Sequence, residues 1–97
     1  MPISIEKCSI KATPHQWRKL AKECFVRDGG RCQICGACGP VQSHHIIPHG
    51  RLVLDVLDNL LTLCHVCHRG VHDHLDGYPT VDDLIERYWD RVKRFLS

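Results

Sequence analysis

Asp58-Asn59-Leu60-Leu61-Thr62-Leu63-Cys64-His65-Val66-Cys67-His68 compresses a turn, a short strand, a thiolate pair and a helix start into eleven residues. Asp58-Asn59 reads as a turn and 60–63 as an apolar strand. Cys64 and Cys67 stand at C-x-x-C spacing, which lets two thiolates chelate one tetrahedral ion without strain. A short helix over 65–75 follows, ending near Gly77 and Pro79. Working backward, Cys32-Gln33-Ile34-Cys35 supplies a second such pair, and Gly36 supports its tight turn. Twenty-eight residues separate Cys35 from Cys64. A β-hairpin of 41–47 against 60–63, around a loop with Pro48, Gly50 and Asp58-Asn59, fills that distance and returns the chain to the ion. Four thiolates from Cys32, Cys35, Cys64 and Cys67 suit structural Zn2+ and close its coordination sphere. Cys38 extends the first pair to C-x2-C-x2-C and is an alternative ligand, with Cys35 favoured because Gly36 follows it.

The rest of the 97 residues frames this segment. Thr13-Pro14-His15-Gln16 opens a helix over about 14–28 with a capping box and Pro at its first position. Trp17, Leu20, Ala21, Cys24 and Phe25 follow at helical spacing, so Cys24 reads as a small core residue, and Asp28-Gly29-Gly30 stops the helix. Arg18, Lys19 and Lys22 project from the opposite side. Thr80-Val81-Asp82-Asp83 opens a second helix over about 81–96, with Leu84, Ile85, Tyr88, Val92, Phe95 and Leu96 on one face. Tyr88 and Trp89 read as core rather than base-stacking residues. The chain is one domain, about 1–97, with no repeat and a thin core for its size.

Seven cysteines and eight histidines in 97 residues, with no secretory start, favour metal binding over a disulfide framework and imply a cytoplasmic protein. No apolar run is long enough to span a membrane. The net charge of +2 hides an asymmetry: residues 11–31 carry six basic against two acidic side chains, and residues 73–97 four against six. A basic front end suits a polyanion. Seven histidines fall between 44 and 74. His44 and His45 are neighbours on a strand and so point to opposite sides; His68 and His72, four apart, share a helix face within reach of a single ion.

From Cys32 to His72 the sequence resembles the HNH endonucleases, in C-x-x-C-G, H-H-I-x-P at 44–48, Asp58-Asn59-Leu60 and L-C-x-x-C-H at 63–68. The resemblance implies an α+β fold, a ββα-metal finger with two zinc knuckles between an N-terminal and a C-terminal helix. It implies that His44 and His68 bind a catalytic divalent cation, that His45 is the general base and that Asn59 fixes the loop. His44 stands where many members have Asp, and colicin-type nucleases share the paired histidines and the H-x3-H of His68 and His72. Three imidazoles, His44, His68 and His72, favour Zn2+, Ni2+ or Mn2+, whereas Mg2+ prefers oxygen. DNA is then the partner, cut with low sequence specificity and contacted by Arg18, Lys19 and Lys22, in a bacterial or phage-infected cell. Small proteins of this family also serve phage DNA packaging beside the terminase. A non-catalytic zinc-stabilised DNA-binding or scaffold module is the alternative; it needs the cysteines but not His44 and His45. Oligomeric state stays open.

Overall fold

The computed structural model describes residues 9–96. Cys8, expected as a free thiol, lies outside them. Helix α1 (Pro14–Arg27) precedes strands β1 (Val41–His45) and β2 (Leu60–Cys64), which pair antiparallel with Val41 opposite Cys64 and His45 opposite Leu60. Helix α2 (His65–His72) follows β2 directly, then α3 (Val81–Arg87) and α4 (Trp89–Val92), with single 3-10 turns at Leu57–Asn59 and Lys93–Phe95. This is the ββα order with a helix before and helices after, an α+β fold. Among the described residues no helix is long and apolar enough to cross a membrane.

Helix α1 starts as its capping box dictates: Gln16 N–H donates to the Thr13 hydroxyl and Thr13 N–H to the Gln16 side-chain oxygen. Cys24 is fully buried, but Phe25, expected on the same apolar face, is half exposed. Its ring lies instead along the Gly29-Gly30 turn, where a Cβ on Gly30 would press on it. Both glycines have φ of +68°, the left-handed conformation that ends the helix. Asp28 caps this end and ties it to the sheet. Its Oδ2 accepts from Thr62 N–H at 2.9 Å, and Arg27 pairs with it at 2.9 Å while donating to the Leu57 and Leu60 carbonyls. Arg27, counted in the basic front end, is thus a structural clamp.

Alternation along the strands sets up both faces of the sheet. Ser43, His45 and Thr62 face α1, and His44 and Leu61 face α2. Leu61, Leu63, Ile46, Ile47, Leu54, Val71, Leu84 and Val92 form the buried core. Helix α2 comes close to the following loop because residue 70 is glycine; a Cβ there would overlap the Tyr78 ring. It ends at His72, three residues before the expected limit, where His74 adopts φ of +55° and Leu75 N–H donates to the Gly70 carbonyl.

The single helix expected over 81–96 is broken. Tyr88 leaves helical geometry at φ −109° and ψ +25° between α3 and α4. Tertiary contacts take over beyond the break: Val92 is buried with Leu84, and Arg94 pairs with Asp58 at 2.6 Å. The Tyr88-Trp89 pair has only middling helix propensity and offers little resistance. Trp89 and Leu96, expected in the core, are 45% and 39% exposed.

Asp28 generates a prediction about acid stability. Burial opposes its ionisation, but Arg27 and Thr62 outweigh burial and hold the carboxyl below its ordinary 3.8. A carboxylate with a depressed folded value stabilises above its unfolded value, and the contribution is lost as pH falls through the folded one. Asp28→Asn should cost about 1–3 kcal/mol near neutrality. The difference in melting temperature between wild type and variant should close as pH drops below 3.8. A gap that stays constant through that window would show the clamp does not depend on charge.

Candidate active site and metal centres

The first of three side-chain clusters joins the two C-x-x-C turns. The 32–35 turn closes with Gly36 N–H donating to the Cys32 carbonyl and docks on the sheet through Gln33 N–H to the Thr62 carbonyl. At the second turn Cys64 doubles as the N-cap of α2, accepting from Cys67 N–H. The sulfurs of Cys32, Cys35, Cys64 and Cys67 all lie within 4.8 Å of one another, with Cys35 and Cys64 3.7 Å apart. Cys38 is not in the cluster; it bridges Arg31 on the exposed return of the turn. Burial works against the Cys32 thiolate, but backbone N–H groups of Cys35, Cys64 and Ile34 prevail and hold it at about 6. Cys67 is pushed well above the usual thiol range by burial and by the three neighbouring sulfurs. Four thiolates this close are mutually compatible only around a cation, so the donor set fits Zn2+.

The second cluster lies between β1 and α2. His44 and His68 meet edge to face with ring centroids 4.8 Å apart, and His72 lies one turn further, 6.1 Å from His68. Burial, and then the neighbouring His68, His45 and His72, lower His44 to about 4, so it is neutral at ordinary pH. Its Nε2 is buried and has no hydrogen-bond partner among the described residues. A buried imidazole nitrogen left without a partner is costly, and a metal ion is one group that would satisfy it. His72 is exposed and its Nδ1 lies 3.3 Å from Asp73. The donor atoms of His44, His68 and His72 are not all within 4.8 Å of one another, so side chains must move before the three could share an ion, and His72 is the exposed member.

The third cluster surrounds His45 on the opposite face of β1. Its ring stacks on Trp17 of α1, centroids 5.2 Å apart and planes 20° from parallel. Its Nε2 lies 2.8 Å from Asp55 Oδ1, and Nε2 of His49 lies 2.6 Å from the same oxygen. Asp55 is buried and also accepts from Ala12 N–H at 2.9 Å. Burial opposes its ionisation, but His49, the Ala12 N–H and His45 together hold it below the ordinary carboxylate value. Asn59 sits behind this loop, fully buried, and fastens it: its oxygen accepts from Ile47 N–H and its amide donates to the Ile47 and Leu54 carbonyls. Arg18, Lys19 and Lys22 are exposed on α1, and Lys19 lines an open recess of about 300 Å³ with Lys11, Gln16 and Asp55.

Sequence reasoning passed over Trp17 as a partner of His45, and passed over His49 and Asp55 altogether. One signal was available for the last: Asp55 is the lone carboxylate in the apolar run Leu52-Val53-Leu54-Asp55-Val56-Leu57. A charge in such a run is either surface-exposed or buried with partners.

Residues 32–74, the span holding all three clusters apart from Trp17, match the family model described as HNH endonuclease. The chain is also similar to the protein named Anaredoxin from Nostoc sp. strain PCC 7120, 28% identical over 60 residues, covering 61% of this chain and 79% of that protein. No solved structure matches.

The cysteine cluster joins the 32–35 turn to the start of α2 in a domain with a thin core, so its loss should be felt by the whole domain. Cys64→Ser should release zinc and unfold or severely destabilise the protein, read by metal analysis and thermal melting. A Cys64→Ser protein that keeps wild-type zinc content and melting temperature would place the structural ion elsewhere.

Proposed function

We propose that this chain, which carries an HNH endonuclease segment at residues 32–74, is a metal-dependent DNA endonuclease hydrolysing phosphodiester bonds with His45 as general base. The observation that carries the proposal is the placement of His45. It is held by a buried carboxylate and an aromatic ring on one face of β1, while His44, its neighbour, presents an unpartnered nitrogen beside His68 on the other.

With Nε2–H donated to Asp55, Nδ1 of His45 is the free basic nitrogen and takes the proton from a water attacking phosphorus. Asp55 positions the ring and stabilises the imidazolium that forms, as a carboxylate behind a catalytic histidine does elsewhere. Trp17 restricts rotation of the ring. Asn59 acts at one remove, fastening the loop that carries Asp55 to the end of β1. His44 and His68, completed by an inward turn of His72, would hold the catalytic divalent cation, with Mn2+, Ni2+ and Zn2+ better matched to imidazole than Mg2+. When bound, that ion supplies Lewis-acid stabilisation of the phosphate and of the departing oxygen. Arg18, Lys19 and Lys22 lie on the same helix as Trp17 and contact DNA phosphates; phosphate contacts give affinity with little sequence preference. A non-catalytic zinc-stabilised module would account for the four cysteines, but not for a half-buried His45 paired with a buried Asp55 beside a basic helix. Nothing in the fold singles out a packaging terminase as partner.

Plasmid cleavage after chelator treatment, with divalent ions added back one at a time, tests the activity. His45→Ala should lower cleavage by about 100-fold or more while leaving DNA binding and the cysteine-bound zinc in place. Asp55→Asn should lower kcat by about 10–100-fold with little change in DNA affinity, because it acts through His45. Cleavage by His45→Ala at more than about a tenth of the wild-type rate is incompatible with general-base catalysis by this residue. Lys19→Ala combined with Lys22→Ala should weaken binding to all DNA sequences and flatten the salt dependence by up to about two units of logarithmic slope. An unchanged slope would move the DNA to another face.

A further inference from the structure

Two of the three donor clusters have been given an ion, and the third has the composition of one as well. Nε2 of His45, Nε2 of His49 and a carboxylate oxygen of Asp55 all lie within 4.8 Å of one another. Both nitrogens converge on the same Oδ1, at 2.8 and 2.6 Å. The Asp55 side chain is 5% exposed, so its direction is fixed by the fold, whereas His45 and His49 are 21% and 45% exposed and leave one side of the group open to solvent. Two imidazoles, one carboxylate and an open position form a donor set found around zinc. A tetrahedral ion of that kind needs donors roughly 3.3 Å apart, which follows from Zn–N distances of about 2.0–2.1 Å, so the two nitrogens must draw back from the carboxylate oxygen by about 0.5–0.7 Å. His49 is exposed on a loop and has room to give.

We propose that His45, His49 and Asp55 form a separate binding site for a divalent transition ion of the zinc class, and that its occupancy switches off the general base. An ion on Nε2 of a neutral imidazole leaves the ring's single proton on Nδ1. Binding therefore moves that proton from Nε2 to Nδ1 in both rings, releases none, and breaks the two hydrogen bonds to Asp55. The atom that accepts the proton of the attacking water is then already protonated. Mg2+, which prefers oxygen donors, does not compete for this site. The binding stands on the geometry alone; the inhibition rests on the nuclease reading.

Trp17 stacks on His45 and serves as the reporter. Full-length protein with its cysteine-bound zinc intact and Trp89→Phe as background would be titrated with Co2+, following quenching of Trp17. The same titration would be run with His49→Gln and with His68→Gln added. Quenching is expected in the parent, with its midpoint raised at least about 10-fold by His49→Gln and little changed by His68→Gln. Histidine side-chain nitrogen spectra should show the Nε2 signals of residues 45 and 49 moving together on Zn2+ addition. An unchanged midpoint in His49→Gln, or loss of quenching in His68→Gln, overturns the site whether or not the protein cuts DNA.

The regulatory half is read by cleavage at fixed Mn2+ with rising Zn2+, each protein normalised to its own maximum. Wild type should fall at least 10-fold at excess Zn2+, and His49→Gln should hold a plateau. If quenching follows the expected pattern but both proteins fall alike, the ion binds there without acting on the base, and the switch is overturned. Absence of cleavage in every protein under every ion would overturn the nuclease reading and the switch together, leaving the binding result to stand or fall by fluorescence.

Discussion

His44 and His45 face different helices only while β1 stays in register with β2. Side chains alternate along a strand, so a slip of one residue would exchange the two histidines between the α1 and α2 faces. Two short strands cannot resist such a slip by their own hydrogen bonds. Register is held instead at both ends. At the Cys64 end, the four-sulfur cluster ties the 32–35 turn and the start of α2 to the sheet. At the His45 end, Asn59 bridges Ile47 and Leu54, while its own carbonyl accepts from Ile46 N–H. Asp28, gripping Thr62 N–H, adds a third restraint from the side of α1.

These restraints are polar, which follows from the size of the domain. A chain of this length buries too little apolar surface to fix fine geometry by packing alone. Asp55, Asn59 and Thr62 are therefore buried among the leucines and isoleucines, each with hydrogen-bond partners. Such groups cost free energy to desolvate and return it only when satisfied, so they penalise alternative arrangements more than they stabilise the native one. His44 Nε2 is an exception, being buried without a partner among the described residues.

What the sequence made legible were features with a fixed local period or spacing. The C-x-x-C turns, the alternation that separates His44 from His45, the capping box at Thr13 and the hairpin all follow from rules that act over a few residues. Tertiary contacts decided what was not legible. No local rule places Asp55 beside His45, since ten residues and an irregular loop separate them. The apolar stripe from Leu84 to Leu96 is continuous on a helical wheel, yet the chain breaks at Tyr88, and the pairing of Arg94 with Asp58 across 36 positions has no local signature. Phe25 fits the helical period and is nevertheless half exposed, its ring lying along the Gly29-Gly30 turn.

The two faces of β1 differ in charge as well as in ligand type. On the α2 side His44 is neutral and, among the described residues, no carboxylate is buried with it; Asp73 beside His72 is exposed, so the imidazole donors themselves would carry no negative charge to offset a dication. On the α1 side Asp55 is ionised and buried. Under the proposed function this difference has a direction. A neutral donor set attracts a dication weakly by itself, and a DNA phosphate brought against it supplies the missing charge, so metal and substrate each raise the other's affinity as linkage requires. The Asp55 carboxylate cannot be lent to that ion, because it lies across the strand from His44. It serves His45 instead, stabilising the positive charge that appears on the ring only as the proton is taken. Separating the carboxylate from the imidazole ligands thus gives one strand a site that waits for phosphate and a base that is prepared in advance.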